Sequence, residues 1–271
     1  MSMEPVPPLW GAYLGDYCGS TYEVRYDLER HPALTPPGSR FTDDSMLTYQ
    51  IHEDMEALAR LGTLSPETLA RRLHRTFRQR AAQFPEGGFS RGFTRWALQT
   101  PEGTSNDSAG NGAVMRLSAV GHRFSDPADA HAYARAITEV SHNHPEALQA
   151  AAALTDFVLN ANSGMALQPN IHSVRTTHGV PVHTWTEIRT LREGKRFVRQ
   201  ALPTLGLCLS LLEQATGFED ALELAIWYGG DTDTQGAVLG QLAEPYHPIP
   251  PGLAEAVRGP FVQWVKSLPG R

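Results

Sequence analysis

A repeated helix-start signal constrains the fold of this chain more than any other feature of its sequence. A capping side chain precedes proline in Ser65-Pro66, Asp126-Pro127 and His144-Pro145. The capping side chain accepts a hydrogen bond from a free amide of the first helical turn, and proline has no amide N–H to be satisfied there. Apolar residues follow each pair at helical spacing. Alternation typical of strands is confined to Val180 to Ile188, which we interpret as a loop. The sequence therefore predicts an all-α fold.

The bulk composition indicates one globular unit. The chain has 271 residues, of which 41% are hydrophobic, and this is enough for one substantial core. We therefore expect a single compact domain over residues 1–271. Lys and Arg total 23 against 29 Asp and Glu, which gives a net charge of −6. Because an acidic chain has no overall attraction for nucleic acid, we expect no general nucleic-acid binding.

The cysteines and the N-terminus bear on where the protein works. Cys18 and Cys208 are the only two cysteines, too few for a secreted disulfide scaffold. Met1 to Pro8 lacks the basic and apolar regions of a signal peptide, and every apolar stretch is shorter than the roughly 20 residues of a membrane helix. We expect a cytoplasmic protein without a membrane anchor. Nothing in the sequence indicates an obligate oligomer, so we expect a monomer.

Two clusters of carboxylates and hydroxyls lie at predicted helix starts, one toward each end of the chain. Helix capping explains either cluster taken alone. Adjacent carboxylates repel, however, and the helix dipole offsets only about 1 kcal/mol of that repulsion. Two such clusters make sense together if the chain folds them around cations, and their oxygen ligands favour Mg²⁺, Mn²⁺ or Ca²⁺ over zinc. The candidate ligands are Thr42, Asp43, Asp44, Asp231, Asp233 and Thr234.

Two further segments between these clusters are candidates for ligand binding. The loop from Ser108 to Gly112 places Gly110 and Gly112 around Asn111, with a predicted helix start behind it. Backbone N–H groups of such a turn pointing into a concavity would suit a diphosphate. His142 and His144 have a spacing that suggests a metal pair, but capping or exposure is the commoner role of such histidines, and the other candidate ligands are oxygens.

Small residues recur every fourth position near the N-terminus, at Gly11, Gly15 and Gly19. This spacing puts them on one helical face, where glycines typically allow another helix to approach closely. Glu23 lies just beyond this segment, and from the sequence alone it is a surface acid or a site residue.

Taken together and in this order, these motifs resemble those of the ADP-ribosylglycohydrolases, the family of the enzyme that reactivates ADP-ribosylated dinitrogenase reductase. The resemblance covers nearly the whole chain and is greatest to small bacterial members. Gly19 to Glu23 resembles the branch that acts on serine-linked ADP-ribose and O-acetyl-ADP-ribose. The resemblance is carried by Gly11 to Asp16, Phe41 to Asp44, Gly110 to Arg116, Ser141 to Glu146 and Gly229 to Thr234.

The resemblance implies an all-α domain with two Mg²⁺ or Mn²⁺ ions in a cleft formed by loops at helix starts. The six candidate ligands above would hold the ions, with Asp43, Asp44 and Asp233 taking part in catalysis. Glu23 would lie beside them as a general base or a gate. ADP-ribose or an ADP-ribosylated substrate would bind through Ser108, Gly110, Asn111, Gly112 and His142.

The implied reaction is metal-dependent hydrolysis of the bond between ADP-ribose and an acceptor, which would be a protein side chain, an acetyl group or a nucleic-acid base. Ser45 departs from the family pattern, in which threonine follows the two aspartates, but it retains the hydroxyl. Two other functions stay open from the sequence. One is a non-catalytic ADP-ribose or nucleotide-binding protein, and the other is a metal-dependent nucleotide phosphohydrolase.

Overall fold

The computed structural model describes residues 10–269. Within that range it contains thirteen α-helices, a 3-10 helix at Asn111–Ala113 and no β-strand, so the predicted all-α fold is confirmed. In chain order the helices are α1 Trp10–Gly19, α2 Asp43–Arg60, α3 Pro66–Gln83, α4 Arg91–Gln99, α5 Ser118–Arg123, α6 Pro127–Glu139, α7 Pro145–Asn162, α8 Leu167–His178, α9 Trp185–Glu193, α10 Ala201–Leu212, α11 Phe218–Tyr228, α12 Thr232–Ala243 and α13 Pro251–Ser267.

The capping–proline pairs begin helices as predicted. Ser65 caps α3, where its side chain accepts a hydrogen bond from Thr68 N and Thr68 in turn caps the Ser65 backbone. Asp126 caps α6 by accepting from Asp129 N, and His144 caps α7 by accepting from Glu146 N through Nδ1 at 3.2 Å. Local side-chain chemistry therefore sets these three boundaries.

The segment from Val180 to Ile188 is a loop only in part. Residues 179–184 are irregular, but α9 begins at Trp185. Thr184 and Glu187 form a reciprocal capping box, which is a helix-start signal. The interpretation of the whole segment as loop is wrong from Trp185 onward, because these hydroxyl and acid side chains cap a helix.

A glycine-lined contact between α1 and α12 joins the two ends of the chain. A Cβ on Gly15 would lie 2.8 Å from Ala237 N and closer still to Gly236 O, and a Cβ on Gly11 would similarly meet the backbone of Gly240. The two helices therefore touch backbone to backbone, as the four-residue spacing predicts. Since α12 begins at the second acidic cluster, this contact brings that cluster beside the end of α1.

Helix α13 packs against α1. Phe261 packs edge-on against Trp10, Tyr13 and Phe41, with ring centroids 4.9–5.5 Å apart. None of the helices between residues 10 and 269 combines the length and the apolar character needed to cross a bilayer.

Candidate functional site

The two acidic clusters meet at one point of the fold, as expected from the sequence. Oxygens of Asp16, Asp44 and Asp233 lie within 4.8 Å of one another, and so do oxygens of Glu23, Asp231 and Asp233. Asp233 belongs to both groups and therefore links them. Asp44 lies in the first turn of α2 and Asp233 in the first turn of α12, so the close packing of helix starts puts acids from both chain ends together.

The carboxylates of this site are crowded and shielded from solvent. Burial raises the pKa of Asp44 well above its usual range, and the charges of Asp233 and Asp43 raise it further. Burial, followed by the charge of Asp233, has the same effect on the pKa of Asp43. Asp44 Oδ1 is buried without a hydrogen-bond partner. Acids arranged in this way repel one another unless a cation lies between them.

Two threonines sit beside these acids. Thr42 caps α2, and its Oγ1 donates to Asp16 Oδ1 at 2.7 Å. Thr234 Oγ1 lies 3.3 Å from Asp44 Oδ2 and thereby connects α12 to α2. All six predicted ligands therefore lie in one region. The side-chain atoms that they offer to a metal ion are oxygens, which Mg²⁺ and Mn²⁺ prefer as ligands.

Asp16 is a site residue that the sequence interpretation did not single out. It is fully buried, and its Oδ2 accepts hydrogen bonds from the backbone N–H groups of Thr42 and Ser45 at 2.9 and 3.1 Å. Burial, together with the charge of Asp233, raises its pKa to about 7. The available signal was a lone carboxylate in an otherwise uncharged helix, next to a glycine that packs against α12.

Glu23 lies at the open side of the site. Its side chain lines the cleft described below, and burial followed by the charge of Asp233 raises its pKa, whereas Arg40 and Arg199 lower it. The adjacent residue, Val24, donates its backbone N–H to Gly230 O at 2.6 Å. This bond holds the segment that carries Glu23 against the loop before α12.

A cleft of about 740 Å³ opens next to the acids, within the range of roughly 300–1,000 Å³ that small-molecule sites have. Asp43, Asp231 and Asp233 form its acidic end. The cleft is also lined by two segments that the sequence interpretation did not select, residues 88–93 and the pair Phe197 and Arg199. Their participation depends on long-range packing, so no local motif marks them.

The loop from Ser108 to Gly112 borders the cleft, but its backbone differs from the prediction. Gly110 N donates to Ser108 Oγ and Asn111 N donates to Arg199 O, so neither amide is free to bind a ligand. The Asn111 bond belongs to an antiparallel bridge between Gly110 and Gln200, whereas the Gly110 bond is local to the loop. The expected helix behind the loop is a 3-10 helix of three residues. The Asn111 side chain faces the acids instead and donates to Asp231 Oδ2 at 2.8 Å.

The two histidines have separate positions. His142 is 6% exposed and lines the cleft beside Gly110 and Gly112, whereas His144 caps α7. Neither is among the acid and histidine groups that could hold a metal ion within residues 10–269. This agrees with the interpretation of His144 as a capping residue.

The comparisons with known proteins agree with this arrangement. A family model described as ADP-ribosylglycohydrolase matches residues 8–271. The chain belongs to the ADP-ribosylglycohydrolase family. A solved structure described as an "ADP-ribosylglycohydrolase-related protein complex" shares 26% sequence identity with this chain at a TM-score of 0.67, over 93% of this chain and 91% of that one. No match is found among curated proteins.

Membership of the ADP-ribosylglycohydrolase family supports a glycohydrolase activity in general. The family is generally metal-dependent, and the acidic groups around Asp44 and Asp233 are able to bind a metal ion. The resemblance stated from the motifs is thus confirmed at the level of the family.

Proposed function

We propose that the protein hydrolyses the glycosidic bond between C1 of the distal ribose of ADP-ribose and an acceptor, and that it requires two divalent cations. The observation that carries this proposal is the meeting of Asp43 and Asp44 with Asp231 and Asp233 at the end of a cleft. A site that only binds a nucleotide has little need for so many buried carboxylates, because their mutual repulsion costs stability.

Two features of the chain fit the proposed cations. Asp44 Oδ1 is buried and has no hydrogen-bond partner, so it is available as a metal ligand. The other ligand atoms beside it are carboxylate and hydroxyl oxygens, which suit Mg²⁺ and Mn²⁺. The residues that would hold the two ions are Thr42, Asp43, Asp44, Asp231, Asp233 and Thr234. Ions bound there would orient ribose hydroxyls and lower the pKa of a water molecule, which makes hydroxide accessible near neutral pH.

Other residues of the cleft would bind and orient the substrate. Asn111 fixes the Asp231 carboxylate through its 2.8 Å hydrogen bond, and His142 and the loop of Ser108 would contact the diphosphate. Glu23 stands at the open side, where an acceptor would leave. Its raised pKa suits a residue that takes a proton from water or passes one to the leaving group. The negative charge of the remaining acids favours an oxocarbenium-like transition state.

Replacement of Asp233 tests the proposal most simply. Asp233→Asn removes the charge shared by both acid groups, and we expect turnover to fall by at least about 100-fold without loss of the fold. The assay is mass-spectrometric detection of ADP-ribose released from a panel of ADP-ribosylated peptides, O-acetyl-ADP-ribose and ADP-ribosylated DNA, with Mg²⁺, with Mn²⁺ and with EDTA.

Asp54→Asn is the matched control. Asp54 is also buried, but it pairs with Arg72 and Thr76 at 2.7 Å between α2 and α3, so its replacement should lower stability and leave turnover intact. Equal turnover of Asp233→Asn and wild type would refute the proposed function. Release of inorganic phosphate in place of ADP-ribose would indicate a phosphohydrolase instead.

A further inference from the structure

The imidazole of His142 lies against the glycine loop at one wall of the cleft. A Cβ on Gly112 would lie 2.8 Å from His142 Nε2, and a Cβ on Gly110 would lie 3.4 Å from the same atom. The Nε2 edge therefore occupies space that exists because both loop residues lack side chains. The protein hydrogen bonds that the ring makes within residues 10–269 are all at the opposite nitrogen, Nδ1.

Nδ1 faces a buried hydroxyl and a buried cation. Ser141 Oγ lies 2.9 Å from Nδ1, and Arg116 Nη2 donates to that Oγ at 2.8 Å and lies 3.5 Å from Nδ1 itself. Ser141 and Arg116 are fully buried, and the guanidinium stacks 4.8 Å from the centre of the Phe77 ring. No carboxylate in the described part of the chain forms a salt bridge with Arg116.

These contacts determine which ring nitrogen carries the proton. A guanidinium has only N–H donors, so a proton on Nδ1 would face a second donor at Arg116 Nη2, whereas a bare Nδ1 accepts. Ser141 Oγ accepts from Arg116, and its own proton is then free to donate to Nδ1. We infer that Arg116 and Ser141 act as positioning residues that hold His142 in the Nε2–H tautomer, so that Nε2–H donates a hydrogen bond to a ligand oxygen in the cleft.

This tautomer limits what His142 does. Burial, and then the charge of Arg116, hold the pKa of His142 well below its usual range, so the ring stays neutral. A neutral ring with its proton on Nε2 has no lone pair toward the cleft, and it therefore neither ligates a metal there nor accepts a proton. The ligand oxygen is best supplied by the diphosphate of ADP-ribose; that identity rests on the proposed function, whereas the tautomer does not.

The tautomer is measured directly by ¹⁵N NMR of the full-length protein with labelled histidine, without ligand or metal. The signals of His142 are assigned among those of the 11 histidines by their absence from His142→Gln. We expect a non-protonated Nδ1 and a protonated Nε2 that persist from pH 5 to pH 9. A protonated Nδ1, or a ring that becomes doubly protonated in this range, would overturn the inference.

Substitutions of Ser141 test the positioning role through binding. Ser141→Ala leaves the ring but removes its hydroxyl partner, and we expect the Kd for free ADP-ribose to rise roughly 3- to 10-fold by calorimetry, the loss of about one hydrogen bond. Ser141→Thr keeps the hydroxyl and should restore both the affinity and the ring signals. Wild-type affinity together with unchanged ring signals in Ser141→Ala would contradict a positioning role.

Ser210→Ala is the matched control for loss of a buried hydroxyl. Ser210 is fully buried in α10, donates to Gly206 O and accepts from His183 N, so its removal should lower the melting temperature without altering the His142 signals or the Kd. These readouts involve no turnover. A protein that has the expected tautomer and binds ADP-ribose but hydrolyses nothing would refute the proposed function and leave this inference standing.

Discussion

Gly15→Ala tests how the two chain ends are held together. In an exposed helix interior, alanine stabilises by up to about 1 kcal/mol relative to glycine. At Gly15, however, the new Cβ would lie 2.8 Å from Ala237 N and closer to Gly236 O, where ordinary contact begins at 3.4 Å. The obstacle is backbone of α12, which has no rotamer with which to move away. The 2.8 Å approach to Ala237 N alone would require the two helices to separate by about 0.6 Å, and the closer approach to Gly236 O requires more.

The expected cost follows from this separation. Overpacking of a close-packed contact costs about 1–3 kcal/mol, so we expect Gly15→Ala to destabilise the protein by that amount despite its better helix propensity. For a chain of this size this corresponds to a melting temperature lower by roughly 2–10 °C. Because Asp16 follows Gly15 and Asp233 lies in the first turn of α12, the same shift should weaken Mn²⁺ binding.

Gly259→Ala provides the control for this experiment. Gly259 lies inside α13, and a Cβ there would meet nothing within 4 Å, so we expect a neutral or stabilising effect. Thermal and urea unfolding followed by circular dichroism compares the two variants, and calorimetry compares their Mn²⁺ affinity. If Gly15→Ala proves as stable as Gly259→Ala and binds Mn²⁺ like wild type, the glycine contact does not position the site.

Three further predictions concern the acidic site. Asp16→Asn keeps the shape of a buried side chain but removes one negative charge beside Asp44 and Asp233. Calorimetry should therefore show Mn²⁺ binding weakened roughly 10- to 100-fold, and the metal-free protein should melt at a higher temperature. A lower melting temperature in EDTA would contradict the charge argument. Burial and neighbouring carboxylates raise the pKa of Asp16 and of Asp233 from 3.8 to about 7, so the folded state binds more protons than the unfolded state between these values. The metal-free protein should therefore lose stability as pH rises through that window, by up to about 1.4 kcal/mol per pH unit for each proton, and urea unfolding in EDTA that shows constant or rising stability would refute this. Asn111→Ala removes the hydrogen-bond donor to Asp231 Oδ2. It should weaken Mn²⁺ binding about tenfold with little change in melting temperature. An unchanged Mn²⁺ affinity would mean that Asn111 does not orient the Asp231 carboxylate.

The helices and the acidic clusters were predictable from the sequence because their signals are local. Ser65, Asp126 and His144 cap the helices that follow them, and the spacing of Gly11 and Gly15 correctly predicted a close helix contact. The convergence of Asp44 and Asp233 was expected from the repulsion within each cluster and the motif order. Single-domain organisation over residues 1–271 and the roles of the individual site residues stay predictions.

The features that were missed depend on contacts between distant segments. Asp16 accepts hydrogen bonds from the backbone N–H groups of Thr42 and Ser45, which lie more than 20 residues away in the sequence. The amides of Gly110 and Asn111 were expected to face a ligand, but pairing with residues 199–200 engages Asn111 N. No periodicity within either segment reports such a partner. Helix α9 was missed for a local reason, because Thr184 and Glu187 form a capping box inside an apparently alternating segment.

Anomalous diffraction from crystals soaked in Mn²⁺ tests the central claim most directly, because it locates the ions without reference to activity. We expect two manganese peaks between the start of α2 and the start of α12, each within coordination distance of carboxylates from both ends of the chain, among Asp43, Asp44, Asp231 and Asp233. Peaks confined to the partly exposed group of His31, Asp220 and Glu223, or no peak in the cleft at saturating Mn²⁺, would contradict it.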